Sequence, residues 1–331
     1  MQHPRVSGFR LGPDRSTLLA FVVVVVLGGL NAIAVKRSVV ELAPFWSAAL
    51  RFLAAGLILL ALVVVARRPF PRGRSLSGGI LYGVVAFGAS FAFGYQALHE
   101  IPAATGIIFL ALVPLMTFGL AVLQRQERFH VQGLLGALIA IGGVAVVVAD
   151  QLGAAVPLGP MLLMSAGAVF IAEGAVILKA VPRSDPFATN AVAMLAGGLV
   201  LLGISVLTGE ARVTPTAMPT WIWLGYLVVP GSVAMFGLYL YALRRWTASA
   251  VSYVTLLMPL VTVPVAAALF SERISLAFVA GGLIALAGVY VGAFRRIRPG
   301  RSSATSLAEC LPIDAPGDPA RAAAGRGDVV A

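Results

Sequence analysis

The residues best placed to do chemistry in this sequence are polar groups inside otherwise apolar runs. Arg51 and Glu173 each lie within such a run, and Asn31 lies near the end of another. A buried arginine suits an anionic group such as a carboxylate, because its planar fork donates two parallel hydrogen bonds. An acid buried among apolar neighbours suits a proton relay or a cationic solute. Arg51 is therefore a candidate solute anchor, and Glu173 is a candidate for proton coupling or cation binding.

Each of these groups also has a structural interpretation. Arg51 and Asn31 lie at similar predicted depth, so the two side chains could simply link neighbouring helices. Glu173 lies at a different depth, which argues against an ion pair with Arg51 and leaves a structural hydrogen-bonded acid as its alternative. Aromatic and amide groups at the same two depths could complete a mostly apolar solute site. These further candidates are Phe91, Tyr95, Gln96 and Tyr253.

Other familiar chemistry is missing from the sequence. The single cysteine, Cys310, excludes an internal disulfide, and the three histidines are scattered without zinc-ligand spacing. No Gly-rich phosphate loop is present to bind a nucleotide. A lipid-modifying enzyme would need acidic or histidine clusters at one membrane face, and the sequence has none. We therefore expect no metal, no cofactor and no enzymatic activity.

The amino-acid composition indicates whether this chain is surrounded by water or by lipid. Apolar residues make up 60% of the 331 residues and charged residues only 11%, whereas soluble domains carry roughly 25% charge. The net charge of +11 lies between apolar runs and at the ends. That placement is typical of membrane topology and not of nucleic-acid binding. We expect an integral membrane protein whose surroundings are a lipid bilayer.

Ten apolar runs are long enough to cross the hydrocarbon core, which takes about 20 residues. Short connections make consecutive runs antiparallel neighbours, so the predicted fold is all-α with ten transmembrane helices. The predicted spans are 16–35, 44–66, 77–98, 103–123, 131–149, 158–179, 187–208, 219–243, 248–270 and 275–294.

Lysine and arginine are divided unevenly between the two sides that ten spans define. The side with both termini holds 19 of the 24, and the other side holds 4. Positive charge stays on the cytoplasmic side, so we expect a multi-pass protein of a bacterial-type inner membrane with both termini in the cytoplasm. Residues 1–15 form the cytoplasmic N-terminus, and the polar segment 295–331 is predicted to be a disordered cytoplasmic tail.

An internal repeat organises the spans. Residues 97–146 and 242–291 align without a gap at an offset of 145 and are identical at 17 of 50 positions. The predicted repeats are residues 16–149 and 158–294. Each holds five spans, an odd number, so the second copy must be inverted. Inverted repeats recur in secondary transporters. The most specific matches are Pro114 with Pro259, and Glu127-Arg128 with Glu272-Arg273.

The two matched prolines lie near the middle of the fourth and ninth spans. Proline frees a backbone carbonyl and bends a helix, so Pro114 and Pro259 are either symmetric hinges or points of static curvature. In the last span, Gly288-x-x-x-Gly292 allows close helix approach. This spacing serves packing within a monomer or the contact face of a homodimer.

Several of these residues together resemble the EamA-type branch of the drug/metabolite transporter superfamily. The resemblance covers about residues 16–294 and implies ten helices around a central cavity and export of amino acids, metabolites or drugs. The Trp-Gly pair usual in this family before the asparagine is replaced by Gly28-Gly29-Leu30. Besides the repeated proline and Glu-Arg, the matching motifs are Gly29-Leu-Asn-Ala-Ile-Ala-Val-Lys36, Pro44, Arg51-Phe52, Tyr95-Gln-Ala-Leu98 and Tyr241-Ala-Leu243.

Repeats, polar groups and resemblance together predict a secondary transporter. We expect it to move a small solute across the inner membrane by alternating access, in the export direction, with protons as a candidate coupling ion. The alternatives are an uptake permease of the same fold and a membrane scaffold that transports nothing.

Overall fold

The computed structural model describes residues 15–129, 131–153, 156–182, 184–246, 248–270 and 274–294, and this part of the chain forms ten helices. Both predicted termini and the Glu272-Arg273 pair lie almost wholly outside these ranges. The helices are α1 Arg15–Ser38, α2 Pro44–Val65, α3 Arg74–Glu100, α4 Ala103–Leu123, α5 Val131–Gly153, α6 Leu158–Ala180, α7 Pro186–Leu207, α8 Met218–Arg245, α9 Ala248–Leu257 continued by Pro259–Phe270, and α10 Leu276–Phe294.

The helices have the lengths and surfaces of membrane spans. Eight of them are long and apolar enough to cross a bilayer, and α5 and α10 carry the shorter apolar stretches Val131–Val147 and Leu276–Gly288. Large apolar side chains point outward along the bundle, including Leu57 at 59% and Leu283 at 58% exposure. Lipid is the solvent that covers such a surface, because helices satisfy their backbone internally. The predicted all-α membrane fold is confirmed.

The packing of α5 against α10 shows how the two copies are related. A Cβ on Gly143 would lie 2.5 Å from the carbonyl oxygen of Gly281, and one on Gly288 would lie 2.6 Å from that of Gly136. At an offset of 145, Gly136 corresponds to Gly281 and Gly143 to Gly288. The two contacts are therefore one contact made twice. Residue numbers rise along α5 as they fall along α10, so equivalent helices run antiparallel.

The packing of α2 against α7 repeats the same relation. A Cβ on Gly56 would lie 2.8 Å from the Leu195 side chain, and one on Gly198 would lie 2.9 Å from that of Leu53. At an offset of 142, Leu53 corresponds to Leu195 and Gly56 to Gly198, so the two contacts are equivalent. A two-fold axis across the helices is the operation that exchanges them, so the second copy is inverted relative to the first, as predicted.

Equivalent lysines tie the ends of α3 and α8 at opposite faces. Lys36 Nζ donates to the carbonyl oxygen of Ile101 at 2.9 Å, and Lys179 Nζ donates to that of Trp246 at 2.6 Å. The last carbonyls of a helix have no partner within it, and a cation there also favours the helix dipole. Each copy therefore fastens its third helix to its first.

Glu41, in the connection between α1 and α2, holds the start of α8. Its carboxylate accepts hydrogen bonds from the backbone N–H groups of Thr216 and Ala217 at 2.5 and 3.3 Å. Hydrogen bonds from Thr220 and Thr216 lower the pKa of Glu41 to about 2, from an ordinary value of 4.5. The carboxylate accordingly stays ionised in any mildly acidic medium.

Protection of the Ala217 amide should follow the ionisation of Glu41. A depressed pKa stabilises the fold fully above about pH 4.5, and that contribution is lost as pH falls through about 2. We expect hydrogen exchange to find Ala217 protected at pH 4, relative to its intrinsic rate, and unprotected at the same pH in Glu41→Ala, which has no side-chain acceptor. Loss of wild-type protection between pH 5 and 4 would show that Glu41 titrates as a free side chain.

Candidate functional site

A cavity lies between the two repeats. Its volume is about 140 Å³, roughly ten times the minimum that holds one water molecule. Most of its wall is apolar, and a few polar groups converge on it, which is the usual make-up of a small-molecule site. The polar residues that line it are Asn31, Arg51, Tyr82, Ser90, Tyr95, Tyr239, Ser252 and Thr255.

Short π-helical segments occur at equivalent places in α3 and α8, at Gly83–Ala89 and Val229–Ala234. A π-bulge lengthens the hydrogen-bonded turn and is frequent at functional sites. In α8 the segment contains Pro230, which has no N–H to donate. Ser232 Oγ donates to the Leu227 carbonyl oxygen at 2.7 Å, and the Gly231 carbonyl oxygen accepts hydrogen bonds from side chains of α1 and α2.

Arg51 of α2 reaches this segment of α8. It is fully buried, and it donates from Nε to Ser232 Oγ and from Nη2 to the Gly231 carbonyl oxygen, both at 2.8 Å. A longer bond of 3.4 Å joins Nη1 to the Tyr95 hydroxyl. Together these bonds use three of the five N–H donors of a guanidinium. The other two donors have no hydrogen-bond acceptor among the described residues.

The charge of Arg51 has no acidic partner among the described residues. Aromatic rings flank it instead, with Cζ 4.8 Å from the centroid of Phe52 and 5.2 Å from that of Phe91. Ring faces stabilise a cation by about 0.5–2 kcal/mol, while an arginine at the bilayer centre costs about 2.5–3.5 kcal/mol on insertion scales. An anionic ligand would offset the part of this insertion cost that the two rings do not compensate.

Asn31 of α1 meets Arg51 through a shared acceptor. Its Nδ2 donates to the Gly231 carbonyl oxygen at 3.0 Å and lies 3.2 Å from Met235 Sδ. Asn31 Oδ1 is buried without a hydrogen-bond partner. Such an acceptor costs about 1–3 kcal/mol, so a solute donor placed there would gain that energy. The predicted meeting of Asn31 and Arg51 therefore occurs, although not by direct contact.

The polar cluster breaks the two-fold relation between the repeats. Gly174 stands where Asn31 stands in the first copy, and Ala193 stands in the place of Arg51. A Cβ on Gly174 would lie 2.5 Å from Ala86 Cβ. A Cβ on Gly83 would likewise come too close to the backbone of Ala193. Small residues therefore occupy these two positions in the second copy, and the pair of Asn31 and Arg51 has no counterpart there.

The remaining candidates are divided between the cavity and its surroundings. Phe91 and Tyr95 line the cavity. Gln96 instead donates to Glu100 Oε1 at 3.2 Å on the exposed end of α3, and Tyr253 is half-buried against Ala140 outside the cavity lining. The roles predicted for Gln96 and Tyr253 stay predictions.

Glu173 lies outside the cavity lining, on the side of α6 that faces α4. Gln124 Nε2 donates to both of its carboxylate oxygens, at 2.8 and 2.9 Å. The amide thus contacts both oxygens of the carboxyl group. Proton coupling through Glu173 remains a prediction.

Both matched prolines begin a new helical segment. Pro114 follows a 3₁₀ turn at Leu110–Leu112, and Pro259 follows a break at Met258. The fourth helix of each copy is therefore interrupted at the same position, beside the cavity residues Val113 and Met258. Movement at these points stays a prediction.

Two hydrogen-bond partners of Arg51, Gly231 and Ser232, were not among the residues predicted from the sequence. The signal was Pro230-Gly231-Ser232, three residues unfavourable inside a helix that interrupt the apolar run of α8. Gly288, taken as one half of a packing or dimer motif, contacts α5 of the same chain.

A known protein family matches both copies of the repeat. The model of the EamA-like transporter family matches residues 15–149 and again residues 158–293. The chain belongs to the EamA-like transporter family. This EamA protein is thus a multi-pass membrane transporter, and each family match covers one inverted copy.

Curated EamA relatives match across most of their length. A probable amino-acid metabolite efflux pump of Salmonella typhimurium is 28% identical over 282 residues, which covers 82% of this chain and 92% of that protein. The uncharacterized inner membrane transporter YedA of Escherichia coli K12 is 26% identical over 270 residues, or 80% and 87% of the two chains. A crystal structure with 19% identity superposes with a TM-score of 0.63 over 85% of this chain and 98% of that one, which shows the fold alone.

Proposed function

We propose that this EamA protein is a secondary exporter that holds an anionic group of a small solute at Arg51 and works by alternating access. The observation that carries the proposal is a fully buried arginine on the wall of a cavity between two inverted copies, with no acidic partner among the described residues. Asn31, Tyr95 and Phe91 complete the solute site. A structural arginine would more commonly be matched by a buried acid.

Inversion supports alternating access on geometric grounds. Two copies related by an axis in the membrane plane can exchange conformations, which opens one central site to either face in turn. The interrupted helices α4 and α9 border the cavity, so we propose Pro114 and Pro259 as the hinges. A solute carboxylate would neutralise Arg51, which makes the loaded cavity easier to reorient than the empty, charged one.

Location and direction rest on charge and on similarity. The 19-to-4 distribution of lysine and arginine supports cytoplasmic termini, and the name of the Escherichia coli relative supports an inner membrane. The similarity to the Salmonella protein named as a probable amino-acid metabolite efflux pump supports export over uptake.

Reconstituted protein tests the proposal directly. Proteoliposomes loaded in turn with amino acids, other small carboxylates and cationic drugs should release at least one carboxylate faster than protein-free liposomes do. The same solute should accelerate its own exchange from the opposite side. Release of none, across a panel that includes carboxylates, would favour the scaffold interpretation.

Glu173→Gln should remove the pH dependence of that release if Glu173 carries the coupling proton. The amide keeps the shape of the side chain and cannot ionise, while Gln124 can still donate to it. Glu100→Gln is the matched control, because Glu100 is also bound by a glutamine amide but at the opposite end of the bundle. Equal proton movement in wild type and Glu173→Gln would exclude Glu173 from coupling.

A further inference from the structure

A row of aromatic rings runs along α3 from one end of the central cavity to the other. Its members are Tyr95, Phe91, Phe87 and Tyr82, and neighbouring ring centroids lie 6.2, 6.2 and 5.4 Å apart. An α-helix brings residues four apart onto one face, whereas the last step of five residues matches the wider turn of the π segment Gly83–Ala89. The π segment therefore keeps Tyr82 in line with the row, on the cavity wall.

A second row lies on α8 and meets the first. It passes from Ser232, an acceptor of the guanidinium already described, through Phe236 to Tyr239. The rings of Phe236 and Phe87 meet edge to face with their centroids 4.7 Å apart. Equivalent helices run antiparallel, so Tyr82 near the start of α3 and Tyr239 near the end of α8 lie at the same end of the cavity.

The two tyrosines make this end of the cavity polar without giving it a charge. Both line the cavity, and neither hydroxyl group has a hydrogen-bond partner among the described residues. A tyrosine hydroxyl can donate and accept a hydrogen bond. Among the described residues of the lining, only Arg51 is charged, so a second charged group at the tyrosine end would be buried without a counter-charge, which is costly. A neutral hydrogen-bonding group would satisfy the hydroxyls without that cost.

We propose that Tyr82 and Tyr239 form a second polar subsite, which selects a monocarboxylate whose far end carries a neutral hydroxyl or amide group. This subsite rests on the proposed function, in which Arg51 holds the carboxylate. Seven residues separate Ser232 from Tyr239, which is roughly 10 Å along α8 at 1.5 Å per residue. The apolar middle of the solute lies against the ring row and carries the neutral group to the two hydroxyls.

Binding of matched carboxylates to the purified full chain in detergent tests this subsite. The probes are straight-chain alkanoates of four to eight carbons, and for each length the hydroxyacid with a terminal hydroxyl group and the dicarboxylate. Isothermal titration calorimetry gives their affinities. We expect a length at which the hydroxyacid binds at least threefold more tightly than the alkanoate, as one added hydrogen bond implies. The dicarboxylate of that length should bind more weakly than the hydroxyacid.

Replacing both tyrosines by phenylalanine should abolish the preference for the hydroxyl group. In the double variant Tyr82→Phe, Tyr239→Phe, the two affinities should agree within twofold, and the alkanoate should bind as it does to wild type because the rings remain. Tyr226→Phe is the matched control on α8. Its hydroxyl donates to the Leu27 carbonyl oxygen at 2.8 Å, outside the cavity lining, so this variant should keep the wild-type preference.

The outcomes separate the tyrosine subsite from the carboxylate site. Equal affinity for alkanoate and hydroxyacid at every length, with both lost in Arg51→Ala, would overturn the subsite and leave the carboxylate site in place. A hydroxyl preference that persists in the double phenylalanine variant would overturn it too. Binding that Arg51→Ala does not weaken, or no binding of any probe to wild type, would contradict the proposed function and the subsite together.

Discussion

Arg51→Ala is expected to reduce solute flux by at least tenfold in proteoliposomes. Charge-assisted hydrogen bonds contribute about 1.5–3 kcal/mol, and each 1.4 kcal/mol is about tenfold in affinity. The flux of Arg51→Lys should lie between those of wild type and Arg51→Ala. An ammonium keeps the charge but, unlike a planar guanidinium, cannot donate to Gly231 and Ser232 at once. Flux of each variant across a range of solute concentrations is the measurement, with loss concentrated on carboxylate solutes.

Membrane insertion should survive this substitution. Removing a charge from the bilayer interior recovers much of the energy that the lost hydrogen bonds supplied, and Ser232 still donates to the Leu227 carbonyl. Arg212→Ala is the control, since Arg212 lies in the connection after α7 and donates to the backbone carbonyls of Ser205 and Glu210. Unchanged flux in correctly inserted Arg51→Ala would make Arg51 a structural link between α2 and α8.

Gly143→Ala is expected to destabilise the bundle by about 1–3 kcal/mol, the usual range for overpacking. The added methyl would lie 2.3 Å from the Ala285 backbone nitrogen, and a backbone cannot rotate away as a side chain can. Gly288→Ala should have the same effect, because its methyl would lie 2.3 Å from the Ala140 nitrogen. Thermal unfolding in detergent should therefore show both melting temperatures several degrees below wild type.

The neighbouring Gly142 provides a close control. A Cβ there meets nothing within 4 Å, so Gly142→Ala should not lower the melting temperature, and the better helix propensity of alanine could raise it. If Gly143→Ala and Gly142→Ala behaved alike, α5 and α10 would not be packed as described. Unequal effects of Gly143→Ala and Gly288→Ala would speak against the two-fold relation.

The helices could be predicted because apolar length and charged connections are local signals. Predicted and observed bounds agree closely, as for 103–123 against Ala103–Leu123 and 44–66 against Pro44–Val65. The repeat was equally visible, because Pro114 with Pro259 and the matched glycines keep one offset. Inversion then followed from the odd number of spans in each copy.

The direction in which each side chain points could not be predicted. Helix α6 is apolar on all sides, so its pattern does not tell which face meets the cavity, and Glu173 was placed by depth alone. The same limit left Gln96 and Tyr253 among the candidate lining residues. Arg51 and Asn31 were predicted together because they lie at similar depth, and the structure joins them through the Gly231 carbonyl of α8.

The π segments escaped prediction for a different reason. A π-bulge is a rare, single-turn widening inside an α-helix, so the apolar length that predicts the helix does not reveal it. Only Pro230 and Gly231 marked the place. The acceptors of Arg51 are consequently a product of the fold and not of a recognisable motif.

Two-sided access to the central cavity is the most direct test of the mechanism. Ser90 lines the cavity, and Cys310 is the single cysteine, so Ser90→Cys in a Cys310→Ser background places one thiol at the site. We expect a membrane-impermeant maleimide to label this thiol in both right-side-out and inside-out vesicles, with protection by the transported solute. Labelling from one side only, with or without solute, would contradict alternating access.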